Sequence, residues 1–267
     1  MTTASPVAPT LIASWPCNDG SGTAVNDTVG TNDLSIVTYG SYPIWGTDYL
    51  TFGNREASDC EQAYAPLINP SGCLPTGGIT DDFSFAVKFR KAPSTKSGLL
   101  MGFGWKTSSE WFTTSQGQFV LYVGNDGKLY YGGIASNAAL FPTYMYVASA
   151  SAVNDSEWHE AICWLTTSGD ADANPVRGTL LLDGASQGYF ESSDSITTKS
   201  MDYRWRIGSG FLYYPSTTLH WPQTSYYGGI TNSNGACEAD LKEARLWCGI
   251  YTGESVISNA IMFSCNT

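Results

Sequence analysis

The chain has 267 residues, only 14% of them charged, and its 13 Lys and Arg against 24 Asp and Glu give a net charge of −11. An acidic chain without a Lys/Arg cluster lacks the electrostatic footprint that phosphate backbones and anionic lipid surfaces require, which excludes nucleic acid as a partner and disfavours a membrane surface. No run approaches the ~18 apolar residues that a membrane-spanning helix needs, so membrane insertion is not expected.

Gly (28), Tyr (16) and Trp (9) are plentiful, and short β-branched and aromatic runs alternate with Gly, Ser, Asn, Asp and Pro clusters. That pattern predicts an all-β sandwich. Residues 1–10 read as a flexible leader without the basic and apolar regions of a secretory signal. LIASWPC (11–17) is predicted as a strand, residues 18–33 as a turn-rich loop, and LSIVTYG and DYLTFG as the next strands. Residues 53–80 show little periodicity. FSFAVKFR (83–90) alternates cleanly, with Phe83, Phe85, Val87 and Phe89 on one face. GLLMGFGW (98–105) follows. QFVLYVGNDGKLYYGG (118–133) is the clearest hairpin, because Asn125-Asp126-Gly127 suits a turn needing positive φ. YMYVASASAV, EWHEAICWL and GTLLLDG come next, with Asp183-Gly184 as another hairpin turn, then RWRIGSG (204–210). EADLKEARLWCGIYTG (238–253) is a late strand, and residues 254–263 read as a strand or a short helix. No linker divides the chain. Residues 11–267 are expected to form one domain, a jelly-roll sandwich of two antiparallel sheets with insertions near 53–80 and 209–229.

Seven cysteines (Cys17, Cys60, Cys73, Cys163, Cys237, Cys248, Cys265) leave at least one without an intrachain partner, and none has the CxxC spacing of zinc or redox sites. Cys60 and Cys73 flank a polar loop that a disulfide could close; buried free thiols acting as small apolar residues are the competing reading.

Several fragments occur in an order seen elsewhere. They are Trp15 with Asp19-Gly20-Ser21-Gly22-Thr23, Asp27 and Asn32; FSFAVKFR; Trp158-His159 followed by a strand ending in Asp183-Gly184; RWRIGSG; and ADLKEARLW. Across about residues 11–257 the chain resembles the laminin-G-like modules of the concanavalin A-like superfamily. It departs from them in a shortened Gly-Thr-Asn-Asp loop and in the two insertions. The resemblance implies a non-catalytic binding or adhesion module, with glycans as the first expected ligand and a protein surface as the second. Together with the missing signal it implies an extracellular or virion-surface setting. There the chain would be a capsid decoration or fibre protein, a homo-oligomer touching capsid or fibre proteins. It also implies structural calcium near Asp27 and Asn32, since calcium takes oxygen ligands from irregular loops. Without the metal, these Asx side chains would organise turns.

Three further groups of residues carry chemistry. His159 stands in a Trp-His-Glu run, but the other histidine is His220, no nucleophile motif accompanies it, and strand parity puts it with Ala161, Cys163 and Leu165. It is expected to belong to the scaffold. Glu238-x-Asp240-x-x-Glu243 resembles the carboxylate motif of retaining glucanases, whose chemistry needs two carboxyl groups ~5 Å apart. The spacing would need a β-bulge to turn Glu243 back to the face of Asp240. Glu238, Asp240 and Glu243 are therefore the catalytic alternative, against a closing strand in which Glu243 simply pairs with Arg245. Finally, residues 209–229 place Tyr213, Tyr214, His220, Trp221, Tyr226 and Tyr227 among Ser, Thr and Gln, a composition suited to stacking on sugars or on a protein. A smaller aromatic group is Tyr42, Trp45 and Tyr49.

Overall fold

The computed structural model describes residues 8–37, 43–53, 62–64, 82–93, 98–105, 112–113, 118–135, 143–166, 176–192, 203–208, 212–213, 220–221 and 237–253. They form strands and connecting turns, with no helix among them. In chain order the strands are β1 (Thr10–Trp15), β2 (Ala24–Val25), β3 (Leu34–Val37), β4 (Ile44–Trp45), β5 (Leu50–Phe52), β6 (Gln62–Tyr64), β7 (Phe83–Arg90), β8 (Gly98–Trp105), β9 (Phe112–Thr113), β10 (Gln118–Val123), β11 (Lys128–Ala135), β12 (Thr143–Ala152), β13 (Trp158–Thr166), β14 (Val176–Leu182), β15 (Ala185–Ser192), β16 (Tyr203–Ile207), β17 (Leu212–Tyr213), β18 (His220–Trp221) and β19 (Ala239–Cys248).

Two antiparallel sheets make the sandwich, as the sequence predicts. The first runs β15-β14-β13-β7-β19-β5-β4, and β1 also pairs with β19. The second runs β12-β11-β10-β8-β16-β6-β3-β2. A third, short sheet, β18-β17-β9, holds part of the 209–229 insertion. The alternation in β7 explains why it is central: Phe83, Phe85, Val87 and Phe89 are fully buried against the second sheet. Phe83 meets Trp205 edge-on at 6.0 Å, and Phe85 meets Tyr131 at 5.6 Å. Such cross-sheet aromatic pairs add ~0.5–1.5 kcal/mol each beyond area burial.

Both predicted hairpin turns form. Gly127 takes φ +78° between β10 and β11, and Asp183 (φ +50°) with Gly184 (φ +76°) makes the two-residue turn between β14 and β15. Strand β19 ends earlier than the sequence pattern indicates, at Cys248, because Gly249 turns to φ +85°. The DYLTFG strand forms as β5 (Leu50–Phe52), and Trp45 of the small aromatic group lies on β4, which pairs with it in a short hairpin.

Strand β19 carries a bulge at Lys242, between the pairs Leu241↔Phe89 and Glu243↔Lys88. Ala239, Leu241, Ala244 and Leu246 point into the core. The extra residue keeps Asp240, Glu243 and Arg245 together on the outer face. Cys17, Cys163 and Cys237 are buried free thiols, and burial pushes Cys17 and Cys237 each up to about 12, so all stay protonated and inert. Cys248 is disulfide-bonded. Cys60, Cys73 and Cys265, with residues 254–263, lie outside the described residues.

Candidate functional site

Strand register assembles a row that no single segment of the sequence contains. Trp158 pairs with Arg90, Arg90 with Asp240, and Asp240 with Thr51, across β13, β7, β19 and β5. Their neighbours His159, Phe89, Leu241 and Leu50 belong to the opposite, core-facing parity, so the row stands on the outer face near one end of the first sheet. Arg90 donates Nε–H (2.9 Å) and Nη2–H (2.5 Å) to Asp240 Oδ2, and Thr51 Oγ1 donates to Asp240 Oδ1 at 2.7 Å. The guanidinium also lies 4.8 Å from the Trp158 ring and 5.4 Å from that of Tyr49. These contacts fix a long side chain that would otherwise be free in solvent. Lys242, which the bulge turns outward, pairs with Asp48 and lies 5.6 Å from the Trp158 ring.

Beside this row is a cleft of ≈ 350 Å³, lined by Thr51, Arg90, Ala92, Ser156, Glu238, Ala239 and Asp240. Its size is at the lower end of the ~300–1,000 Å³ typical of small-ligand sites. The wall at Ser156 is held by backbone: Ser156 adopts φ +72°, and its N–H donates to the Lys91 carbonyl at 2.9 Å. Lys91 itself is buried behind the cleft, where desolvation lowers its pKa against the opposing pull of Cys237 and Glu238.

The carboxylates proposed as the catalytic alternative are split by this arrangement. Glu238 and Asp240 line the cleft. The bulge does bring Glu243 to the same face, but one row further on, where it lies 3.4 Å from Arg245 Nε. Arg245 also donates to Glu160 at 2.6 Å. Asp240 is occupied by Arg90 and Thr51. Each of these two acids therefore has a structural cationic partner.

His159 lies under the same end of the sheet. It is tilted over Phe89 at 5.8 Å, with Nδ1 2.7 Å from Asp183 Oδ2 and Nε2 3.0 Å from Asp155 Oδ1. Burial opposes its charge, but the hydrogen bonds to Asp183 and Asp155 outweigh it and raise the pKa. Both ring nitrogens are thus spent on holding two turns.

Asp27 and Asn32 do come together, as carboxylate and amide donor. Asp27 Oδ1 accepts the backbone N–H groups of Ser14 (2.9 Å) and Val29 (3.0 Å), and Oδ2 accepts the Asn32 backbone N–H (3.1 Å) and Asn32 Nδ2 (3.2 Å). Burial would raise the Asp27 pKa, but these N–H groups lower it overall. Gly30 passes so close that a Cβ there would lie 2.9 Å from Asp27 Oδ2. Calcium needs oxygens converging on it. Here N–H groups surround the carboxylate, so Asp27 with Asn32 does not fit a calcium ligand set, and among the described residues no cluster of three or more His, Cys, Asp or Glu could hold a metal.

Of the aromatic-loop residues, Tyr213, His220 and Trp221 are placed by backbone pairing, with Leu212 opposite Trp221 and Tyr213 opposite His220. Tyr214, Tyr226 and Tyr227 lie outside the described residues, as does Tyr42. Of the cleft's lining residues the sequence singles out Glu238 and Asp240, with Tyr49 beside the Arg90 guanidinium, but not Arg90, Thr51 or Ser156. The available signal is the last position of β7, where alternation must put Arg90 on the outer face.

No protein-family model matches the sequence, and no curated relative does. Solved structures do resemble the fold. The receptor-binding domain of botulinum neurotoxin D superposes with a TM-score of 0.58 at 11% identity, covering 96% of this chain and 54% of that one. The serotype D ligand-binding domain in complex with N-acetylneuraminic acid gives 0.55 at 11% identity, covering 96% and 52%. A botulinum neurotoxin type C structure, from a toxin whose cell entry depends on interaction with two ganglioside molecules, gives 0.55 at 9% identity, covering 97% and 52%. At these identities the likeness is one of fold. The chain spans about half the length of the structures it resembles.

Proposed function

We propose that this chain is a non-catalytic binding and attachment module that recognises glycans on a receptor surface. The observation that carries the reading is the cleft beside the Trp158–Arg90–Asp240–Thr51 row. It is a small, preformed cavity with hydroxyl, guanidinium and carboxylate groups in its wall and an aromatic pair next to it. Hydroxyl-rich ligands need such convergent donors and acceptors held rigidly, because each side chain already ordered is one that binding does not have to order. The fold likeness to receptor-binding and sialic-acid-binding domains supports the same class. The ion pairs of Asp240 with Arg90 and of Glu243 with Arg245 weigh against a retaining hydrolase, which would need two carboxyl groups free to act on one bond. The laminin-G-like assignment and the extracellular or virion-surface setting are the finer part of this reading, and they rest on the ordered sequence fragments.

A panel of immobilised neutral and sialylated glycans tests it. Saturable binding to any glycan supports the reading. No binding across the panel by protein that melts cooperatively overturns it. Ser156→Ala and Glu238→Gln then report on the cleft, and Trp221→Ala and Tyr227→Ala on the aromatic loop, the second place where sugar stacking is expected.

A further inference from the structure

The geometry points to an uncharged, hydroxyl-rich sugar as the occupant of the cleft lined by Thr51, Arg90, Ser156, Glu238 and Asp240, in preference to an acidic sugar. This rests on the glycan-binding reading and names the ligand class for it. The first ground is charge. Arg90 is the one cation among the described lining residues, and it directs two N–H groups at a single oxygen of Asp240, so its charge is compensated inside the cleft. Glu238 adds a carboxylate that makes no hydrogen bond to any described residue. Lys91, the cation near it, is buried and does not line the cleft. A sugar carboxylate entering here meets Glu238 with no unpaired cation to receive it. The net charge of −11 opposes the approach of anionic glycans at longer range as well.

The second ground is hydrogen-bond capacity. A carboxylate that feels the charge of Lys91 but has no hydrogen-bond partner among the described residues is an acceptor for two hydroxyl donors, the arrangement a vicinal diol offers. Arg90 directs two of its five N–H donors at Asp240 and also hydrogen-bonds Tyr49, which leaves the rest for sugar oxygens. The Thr51 hydroxyl spends its proton on Asp240 and presents lone pairs. Ser156 both donates and accepts. Ala92 and Ala239 supply apolar contact for sugar C–H groups. Every polar group among the described lining residues thus has a counterpart on a neutral sugar, and none of them is left requiring an anion. The small volume suits the end of an oligosaccharide better than a long stretch of it.

The experiment measures binding of the full chain to paired oligosaccharides, each neutral glycan and its sialylated form, by calorimetry at low and physiological salt. The expected result is that the neutral form of at least one pair binds about tenfold or more tightly than its sialylated form. Glu238→Gln should weaken neutral binding about five- to tenfold, in line with loss of a hydrogen bond to a charged acceptor. Ser156→Ala, a smaller change at an exposed position, serves as the second variant should Glu238→Gln lower the melting temperature. Tighter binding of the sialylated form, strengthened by Glu238→Gln, overturns the ligand class while leaving the glycan-binding reading intact. Neutral binding untouched by both variants overturns the cleft as the site, again without touching that reading. No binding of either form removes both.

Discussion

His159 Nδ1 lies 2.7 Å from Asp183 Oδ2, while Asp183 Oδ1 accepts the Glu160 backbone N–H at 2.8 Å, so one carboxylate ties a strand's first turn to the hairpin beside it. On the other ring nitrogen, Asp155 Oδ1 holds the turn that carries Ser156 into the cleft wall. The Trp-His-Glu run is therefore a clamp between two turns, and its chemistry is structural.

The clamp sets a pH dependence. Because the folded pKa of His159 is raised above its unfolded value of ~6.5, its contribution is fully present below that value and is lost as pH rises through the folded pKa. His159→Gln should lower stability by about 1 kcal/mol at pH 6 and by less at pH 8.5, since partly exposed ion pairs are worth ~0.2–1 kcal/mol each. Urea melts at the two pH values check this. An equal loss at both would show that packing on Phe89, not charge, makes the clamp.

Arg90 and Asp240 should behave as a coupled pair. Asp240→Ala leaves the guanidinium without its carboxylate and should cost about 1–2 kcal/mol. Arg90→Met should cost a similar amount, because it also removes the cation held between Trp158 and Tyr49. In the double variant the losses should fall short of additive by about 1 kcal/mol. Strict additivity by denaturant melts would mean that the two side chains do not interact in solution.

How much of this could be read from the sequence depends on the range of the contacts. The four inward residues of β7, the Asn-Asp-Gly and Asp-Gly turns, and the need for a bulge between Asp240 and Glu243 are all local, fixed by period and turn chemistry over fewer than ten residues. The binding row is not. Thr51 and Asp240 are 189 residues apart, and Arg90 and Asp240 are 150 apart. Their meeting depends on the register of β5, β7 and β19, which is set by buried residues on the opposite face, such as Phe89 and Leu241. Alternation reveals which face Arg90 occupies; it cannot reveal which carboxylate stands across from it. Asp27 shows the same limit. The sequence places Asp27 near Asn32, but not the Ser14 N–H, which β1 brings to the same carboxylate.

Asp27→Asn should be nearly as damaging as Asp27→Ala. Each carboxylate oxygen accepts two N–H groups, so an amide would turn its own N–H₂ toward two donors. The expected cost is about 2–3 kcal/mol, from leaving buried donors unpaired. The carboxylate pKa is lowered in the fold, so its contribution is present above the unfolded value of ~3.9 and is lost as pH falls through the folded one. Melting of the parent and both variants should be the same in calcium and in chelator. A calcium-dependent rise in the parent alone would return Asp27 to the role of a metal ligand.

Tyr131 offers the opposite case, a change expected to stabilise. Its ring is fully buried between Phe85, Phe119 and Phe190, and its hydroxyl has no hydrogen-bond partner among the described residues. Desolvation drives its pKa well above the ordinary phenol value, so the group is a neutral, stranded O–H at every working pH. Removing an unpaired buried polar group while keeping the ring relieves a penalty of ~1–3 kcal/mol, less the packing of one oxygen atom. Tyr131→Phe should therefore match or exceed the parent's stability, by up to about 1 kcal/mol, with a melting temperature unchanged or higher by a few degrees. A clear loss of stability would show that the hydroxyl is paired in solution, most simply to a buried water in the centre of the core.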